Sequence, residues 1–299
     1  LEFRRVLFRS HKICFIIIKL LKMEQILYGK PVAERLDEYS SKIFKTFESE
    51  QTKPKLTAIT VGDNPASILY VSRKQEKAIK LGVEFNWIKL IESTSQNDLN
   101  EIISSESKNT NGLIVQLPLP KHLDVEAAID CIDPKVDVDG LTQFNLGTLF
   151  TENYQILPAT SLAVLELLDF YGIKTVDKNI VIAGRSRLVS APLAKILSSK
   201  KYNANVTVIH SRTTNQKQFI QNSDIFISAV GSAKLFNKSF FKEGSTVIDI
   251  GISKIDGRTY GDVDNLDLEN YLSNRSPFPG GVGPITVSAL FYNLSILLN

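Results

Sequence analysis

The stretch Asp63-Asn-Pro-Ala-Ser-Ile-Leu-Tyr-Val-Ser-Arg-Lys-Gln-Glu-Lys-Ala-Ile-Lys-Leu-Gly82 carries the strongest structural signal in this chain of 299 residues. It follows an apolar, β-branched run at 56–61, which predicts a strand. Asn64 suits an N-cap, Pro65 a first helical turn and Gly82 a C-terminal cap, so a helix is predicted between them. A strand followed by a capped helix is the building block of a parallel sheet with helices on its faces.

One face of the predicted helix is polar. A helix turns by about 100° per residue, so Ser67, Tyr70 and Lys74 lie within roughly 60° of one another. A lysine one turn from a phenol can transfer protons, because burial lowers the pKa of an amine toward neutrality. It can equally be a surface lysine whose stem lies on a tyrosine ring. The helix alone leaves both interpretations open.

Composition excludes several classes of protein. The chain is 43% hydrophobic and 22% charged, which is typical of a globular protein. No apolar run approaches the roughly 20 residues of a membrane span, so no membrane partner is expected. Two cysteines argue against a disulfide framework, and three scattered histidines argue against a metal site.

The basic charge of the chain comes from its first 22 residues. The whole chain has 35 Lys/Arg and 32 Asp/Glu, and without residues 1–22 it has 29 Lys/Arg and 31 Asp/Glu. The rest of the chain therefore has no excess of basic residues that would indicate nucleic-acid binding. Residues 1–22 resemble translated linker sequence ahead of Met23, with an Arg-rich organelle transit peptide as the alternative. We expect a cytoplasmic protein, or an organellar one if residues 1–22 are a transit peptide.

Strand and helix signals alternate along the rest of the chain. Strands are predicted at 56–61, 83–91, 112–116, 179–183, 205–209, 224–230 and 245–250. Helices are predicted at 31–48, 64–82, 97–107, 125–131, 161–171, before 199 and at 285–298. This order predicts an α/β fold with parallel sheets, in which ligands bind at the carboxyl ends of strands.

The segment Gly184-Arg-Ser-Arg-Leu-Val-Ser190 lies where a dinucleotide fold has its glycine-rich turn. Serines stand at the second and third glycine positions, so the fingerprint alone does not separate a cofactor site from an ordinary strand–turn–helix. His210-Ser-Arg-Thr213, after the next strand, has no carboxylate for a ribose hydroxyl, which favours NADP over NAD. Arg185 and Arg212 are candidates to bind a 2′-phosphate, or are solvated surface charges.

The segment Asp137-Val-Asp139-Gly140 alternates acidic and apolar residues, so both carboxylates point the same way if it is extended. Such a pair can bind a metal, cap a turn or hold a donor-rich heterocycle. A metal is the least favoured, because no further carboxylate or histidine cluster lies nearby in the sequence.

Taken in order, these motifs resemble the bifunctional methylenetetrahydrofolate dehydrogenase/methenyltetrahydrofolate cyclohydrolase family. The resemblance covers nearly everything after Met23. It rests on Ser67-x-x-Tyr70-x-x-x-Lys74, Val115-Gln-Leu-Pro-Leu-Pro120, Asp137-Val-Asp-Gly140, Gly184-Arg-Ser186, His210-Ser-Arg-Thr213, Ile248-Asp-Ile-Gly-Ile252, Gly261-Asp-Val-Asp264 and Pro279-Gly-Gly-Val-Gly-Pro284.

The resemblance implies an architecture and an activity. A folate-binding catalytic domain would span 23–158, with a helix at 284–299 returning to it, and a Rossmann-like NADP-binding domain would span 159–283 across a cleft. The implied reactions are NADP-dependent oxidation of 5,10-methylenetetrahydrofolate and hydrolysis of the product to 10-formyltetrahydrofolate. A homodimer formed through the cofactor domain is also implied.

The resemblance assigns roles to single residues. Lys74 matches the catalytic lysine, Tyr70 the tyrosine packed on the folate, Gln116 the glutamine bonded to that lysine and Asp139 the aspartate that binds the pterin. The expected substrate site also includes Val115, Leu117, Pro279, Gly280 and Gly281. The expected cofactor site consists of Gly184, Arg185, Ser186, Ser211, Arg212 and Ile252.

Two departures from the family pattern raise alternatives. The family usually has Pro-Cys-Thr-Pro-x-Gly where this chain has Pro158-Ala-Thr-Ser-Leu-Ala163, near the expected cleft, and glycine where this chain has Ser190. A Cβ at position 190 is expected to narrow the approach of the pyrophosphate. The alternatives are a cyclohydrolase-only member with impaired cofactor use and a non-catalytic folate- or nucleotide-binding protein on the same fold. The set of Tyr70, Lys74, Gln116 and Asp139 argues against a non-catalytic binding protein, because binding alone does not require a buried lysine.

Overall fold

The computed structural model describes residues 24–48 and 53–299. Both interpretations of residues 1–22 therefore concern a segment outside the described part of the chain. Within that part, no helix combines the length and the apolar character needed to cross a bilayer.

The described residues form two groups of alternating strands and helices. The strands are β1 (Gln25–Ile26), β2 (Lys55–Val61), β3 (Glu84–Leu90), β4 (Gly112–Val115), β5 (Asn179–Ala183), β6 (Asn205–Ile209), β7 (Ile225–Ser228), β8 (Thr246–Asp249), β9 (Ser253–Ile255), β10 (Arg258–Tyr260) and β11 (Asn274–Arg275). The helices are α1 (Gly29–Glu48), α2 (Pro65–Leu81), α3 (Gln96–Glu106), α4 (Val125–Asp130), α5 (Gln143–Thr151), α6 (Ala159–Phe170), α7 (Ser190–Leu197), α8 (Gln216–Gln221) and α9 (Val282–Leu297). A single 3₁₀ turn is described, at Lys238–Phe240.

Helix α2 confirms the prediction made from its sequence. The Asn64 side chain accepts the backbone N–H groups of Ala66 and Ser67 at 2.9 and 3.1 Å. At the other end Gly82 adopts φ 74° and ends the helix. The caps therefore fix where α2 starts, directly after β2 and at the carboxyl edge of its sheet.

Two parallel sheets confirm the α/β fold class. The smaller sheet has the order β3-β2-β4, and the larger one has the order β1-β11-β8-β7-β5-β6. Strands β9 and β10 form a separate antiparallel hairpin. The strand order of the larger sheet reverses between β5 and β6 on one side and β7 and β8 on the other, and such a reversal opens a crevice at the carboxyl edge.

The two ends of the described chain each pack with the opposite half of the protein. β1, at the start, pairs with β11 in the larger sheet, while α9, at the end, packs on α1 and α2 beside the smaller one. Lys77 on α2 donates to Ser288 Oγ on α9 at 3.2 Å and also pairs with Asp37 on α1. The expected domain span of 23–158 thus begins with a strand that belongs to the larger sheet.

The sequence missed β1, β11, α5, α8 and the β9–β10 hairpin. These elements have between two and nine residues, so they contain too few turns or alternations for a periodic signal. The longer elements match their predictions to within a few residues at each end.

Candidate functional site

Helix α2 and the end of β4 bring a lysine and a glutamine together. Gln116 continues the ladder of the smaller sheet, since its N–H donates to the Ile59 carbonyl at 2.9 Å. Lys74 Nζ donates to Gln116 Oε1 at 2.9 Å. The Gln116 amide in turn donates to the Leu117 carbonyl at 2.8 Å, which fixes its orientation. Ser67 Oγ donates to the same carbonyl at 3.4 Å, so the start of α2 is held against this loop.

Asp139 lies near this pair, and the charges of Asp139 and Lys74 shift each other's pKa. Burial lowers the pKa of Lys74, and the nearby Asp139 charge opposes that shift. Burial raises the pKa of Asp139 to about 6, with the Lys74 charge lowering it and the Asp137 charge raising it. An amine and a carboxyl group whose pKa values are both moved toward neutrality are suited to proton transfer near pH 7.

The two carboxylates of the Asp137-Val-Asp139-Gly140 segment have different environments. The segment is a turn and not an extended strand, so the condition for both carboxylates to point the same way is not met. Asp137 is fully buried and accepts the N–H groups of Gly140 and Thr142, each at 2.9 Å, and the Asn145 amide at 2.9 Å. Asp137 therefore holds the turn, and Asp139 remains for the cleft.

Asn293 on α9 is a buried residue that the sequence left unassigned. Its amide donates to the carbonyls of Val138 and Leu157, both at 2.8 Å. It thereby ties the backbone beside Asp139 to the chain entering α6. The available signal was a single amide within the otherwise apolar segment 289–294, but nothing in the sequence identified its partners.

Tyr70 lies one turn before Lys74 on α2 and is partly exposed, as expected for a residue at a cleft. Val115 ends β4. The turn with Pro279, Gly280 and Gly281 lies against the start of α1, where Gly29 N–H donates to the Gly280 carbonyl at 2.8 Å. The turn leads directly into α9, which packs on α2.

The segment that begins with Gly184 fits a dinucleotide. Gly184 has φ 116°, and a Cβ there would lie 2.7 Å from both the Ala229 carbonyl oxygen and Ser190 Oγ. Ala183 pairs with Ile209 across β5 and β6, so the loops that carry Arg185 and His210-Ser-Arg-Thr213 begin side by side. Gly184 is thus required for the turn itself, and the two loops lie together at the carboxyl edge of the larger sheet, where such folds bind phosphates.

The candidate groups for a 2′-phosphate are exposed beside this turn. Arg185, Ser211 and Arg212 are all exposed, and neither arginine forms a salt bridge with any residue in the described ranges. Ser186 has a local role as well, because its hydroxyl accepts the Val189 N–H at 3.3 Å. The two guanidinium groups fit a cofactor that carries a phosphate on its ribose.

The two departures from the family pattern do not project into the crevice. Ser190 is fully buried and its hydroxyl lies against Gly184, so its Cβ does not line the exposed side of the turn. Ala163 is also fully buried, in the core of α6 and not at the cleft. Ser161, at the position of the missing proline, donates to the Val189 carbonyl at 3.4 Å and so links α6 to the turn.

Two buried aspartates shape the loops after β7 and β8. Asp262 accepts Ser228 Oγ at 2.7 Å and the N–H groups of Val230 and Ser232 at 2.8 and 2.7 Å. Its own N–H donates to Asp249, and burial raises the pKa of Asp249 to about 6. The motifs at 248–252 and 261–264 are thus a scaffold for the carboxyl edge of the larger sheet, where Ile252 is exposed.

Comparison with known proteins matches both halves of the chain. The family model "Tetrahydrofolate dehydrogenase/cyclohydrolase, catalytic domain" matches residues 27–139, and its "NAD(P)-binding domain" counterpart matches residues 158–298. The "Bifunctional protein FolD" of Lactobacillus delbrueckii subsp. bulgaricus is 39% identical over 270 residues, covering 90% of this chain and 95% of the relative. The protein of the same name from Streptococcus pneumoniae serotype 4 is 39% identical over 272 residues, with the same coverage.

Solved structures agree with these matches. The bifunctional enzyme FolD, a methylenetetrahydrofolate dehydrogenase/cyclohydrolase from Campylobacter jejuni, has a TM-score of 0.86 and 32% identity, covering 92% of this chain and 98% of that one. The Trypanosoma brucei N5,N10-methylenetetrahydrofolate dehydrogenase-cyclohydrolase, solved with NADP cofactor and an inhibitor, has a TM-score of 0.86 and 31% identity, covering 92% and 97%.

Proposed function

The chain belongs to the tetrahydrofolate dehydrogenase/cyclohydrolase family, and from this membership we propose roles for its individual residues. It is a bifunctional enzyme of one-carbon metabolism. It oxidises 5,10-methylenetetrahydrofolate with NADP and hydrolyses the resulting 5,10-methenyltetrahydrofolate to 10-formyltetrahydrofolate. The observation that supports the role assignments best is the hydrogen-bonded pair Lys74 and Gln116 facing Asp139.

The dehydrogenase step needs orientation and not a proton acceptor. NADP, when bound, accepts a hydride from the methylene bridge of the substrate. In our proposal Asp139 accepts hydrogen bonds from the donor-rich edge of the pterin, and Tyr70 packs on the folate. Val115, Leu117, Pro279, Gly280 and Gly281 complete the substrate site.

The cyclohydrolase step needs a group that moves protons, and we assign it to Lys74. A water oxygen adds to the methenyl carbon while the free amine of Lys74 takes one of the water protons. The bond from that carbon to N5 of the folate then breaks, N5 takes a proton and the remaining hydroxyl proton leaves, so the step releases one proton overall. Burial lowers the pKa of Lys74, which favours the free amine, and Gln116 orients it.

The proposed cofactor site lies at the crevice of the larger sheet. Gly184 and Ser186 would hold the pyrophosphate through the backbone at the start of α7. Arg185, Ser211 and Arg212 would bind the 2′-phosphate, and Ile252 would contact the nicotinamide side. The inward packing of Ser190 removes the main reason for the cyclohydrolase-only alternative.

We also propose that the protein forms a homodimer through the cofactor domain. Among the strands that the structure describes, β6 is an edge strand of the larger sheet, and Val208 on it is 39% exposed. Helix α7 packs on β6, and α5 packs on α7 with Phe150 75% exposed. An open strand edge beside apolar side chains supports pairing with a second copy. Val208→Lys should yield monomers in sedimentation velocity, and an unchanged dimer would refute this interface.

The test of the proposed function uses protein that begins at Met23. It is mixed with 5,10-methylenetetrahydrofolate and either NADP or NAD, and reduced cofactor and methenyl absorbance are followed together. NADP reduction without lasting methenyl accumulation is expected, with added methenyl substrate hydrolysed faster than in buffer. Hydrolysis without any cofactor reduction would favour the cyclohydrolase-only alternative. The absence of both reactions would favour a binding protein on the same fold.

A further inference from the structure

Arg187 joins the cofactor-binding turn to the folate-binding half of the protein. The residue lies between β5 and α7, within the segment 184–190. Its side chain reaches the other half, where Nη2 donates to Asp130 Oδ1 at 2.8 Å and to the Leu141 carbonyl at 3.0 Å. Its Nη1 lies 3.4 Å from Glu126 Oε2. The sequence motif assigned roles to its neighbours and none to Arg187.

The central contact of this bridge is partly shielded from solvent. The side chains of Arg187 and Asp130 are 23% and 21% exposed, whereas that of Glu126 is 72% exposed. Asp130 is itself held by Gln143, whose backbone N–H and side-chain amide donate to it at 2.9 and 2.6 Å. A guanidinium between a fixed carboxylate and a backbone carbonyl has one defined position, in contrast to an exposed ion pair.

The two ends of the bridge lie next to the two half-sites. On one side Arg187 follows Arg185 and Ser186 in the turn proposed to bind the cofactor. On the other side Leu141 lies two residues after Asp139, which is proposed to bind the pterin. Hydride transfer requires the reacting carbons to be about 3–3.5 Å apart, so its rate depends on how the two half-sites are placed. Hydrolysis of the methenyl group uses the folate half alone.

We propose that Arg187 is a positioning residue that sets the separation between the cofactor-binding turn and the Asp139 segment. It acts on hydride transfer and leaves hydrolysis unaffected. This inference rests on the proposed function, because it needs both reactions in one cleft. Arg187 touches neither substrate nor cofactor in this scheme, since its guanidinium is occupied by Asp130 and Leu141.

The test compares Arg187→Met with a matched control, Lys195→Met. Lys195 lies on α7 and pairs with Glu152, just after α5, at 3.2 Å, with side chains 22% and 42% exposed. It therefore joins the same two halves away from the cofactor turn. Arg187→Met should lower the dehydrogenase kcat at saturating NADP by about tenfold or more, because a misplacement of about 1 Å costs up to 10²-fold. Hydrolysis of added methenyl substrate without cofactor should stay within about twofold of the wild type, as should both rates in Lys195→Met.

Two further measurements distinguish a positioning role for Arg187 from a role in cofactor binding and from a general loss of structure. NADP affinity, measured by calorimetry without folate, should change by less than about threefold in Arg187→Met, and Arg187→Lys should recover part of the rate through Asp130 alone. An effect on NADP affinity with an unchanged kcat would overturn the proposal, and so would a parallel loss of both reactions. Wild-type protein that hydrolyses the methenyl substrate but reduces no cofactor would instead overturn the dehydrogenase function on which the proposal rests.

Discussion

Replacing Lys74 with methionine tests the proton-transfer role most directly. Methionine keeps an unbranched side chain of similar length and removes the amine. Gln116 Oε1 then loses the donor at 2.9 Å. The pKa of Asp139, about 6 in the intact protein, rises further because the Lys74 charge no longer lowers it. The substitution therefore removes the proposed base and keeps the length of the side chain, with these two changes at Gln116 and Asp139.

The expected effect differs between the two reactions. A positioned acid or base contributes about 10²–10⁴-fold to a rate, which is about 2.7–5.4 kcal/mol of activation free energy. The cyclohydrolase kcat of Lys74→Met should fall by this factor. The dehydrogenase kcat should fall by no more than about tenfold, because hydride transfer requires no proton acceptor. The methenyl intermediate should then accumulate in the mutant and not in the wild type.

The assay follows reduced NADP and methenyl absorbance in one mixture, and measures hydrolysis of added methenyl substrate separately. Lys80→Met, an exposed lysine on the same helix, is the matched control and should behave as wild type. Hydrolysis retained above about one tenth of the wild-type rate would refute the assignment of Lys74 as the base. Equal losses in both reactions would mean that Lys74 positions the folate and transfers no proton.

Three other variants, one of them a double substitution, test the electrostatics of the protein. In Asp139 the folded pKa of about 6 exceeds the ordinary 3.8, so the stabilising contribution of its protonated form is complete below about pH 4 and lost as the pH rises through 6. Asp139→Asn should therefore raise Tm relative to wild type by a few degrees at pH 8 and leave it unchanged at pH 4. Each kcal/mol of added stability corresponds to about 2–4 °C in Tm. A Tm difference that does not depend on pH would contradict this. Replacing both Arg185 and Arg212 with serine should raise KM for NADP at least about tenfold more than KM for NAD, and equal effects would exclude a 2′-phosphate site. Asp262→Asn should lower the free energy of unfolding in urea by about 1–3 kcal/mol, because an amide cannot accept all the hydrogen bonds that the carboxylate accepts. An unchanged urea midpoint would show that these hydrogen bonds do not stabilise the loop.

The sequence predicted the parts of this protein that depend on local interactions. The caps at Asn64 and Gly82 and the strand Asn179–Ala183 depend on neighbouring residues, and the structure confirms them. The face shared by Tyr70 and Lys74 follows from helix geometry alone. Motif order then predicted the family, which the comparisons confirm.

The remaining features depend on contacts between distant residues. Asp137 and Asp139 are alike in sequence, and only the positions of Asn145 and Lys74 separate a turn-forming carboxylate from one that faces the cleft. Ser190 was expected at the pyrophosphate because sequence does not show on which side of a turn a side chain lies. Arg187 contacts a helix 57 residues earlier, and no local pattern indicates such a partner.

The crossed arrangement of β1 and α9 has a consequence for the order of folding. The larger sheet reaches its full width only when β11, which lies some 250 residues after β1, is available for pairing. The helical layer beside the smaller sheet likewise needs α9, the last helix to be synthesised. The N-terminal half therefore cannot mature on the ribosome before the last helix is made, in contrast to proteins that fold domain by domain from the N-terminus. When the chain is cut between residues 158 and 159, the first fragment should fold only after it is mixed with the second, which carries α9.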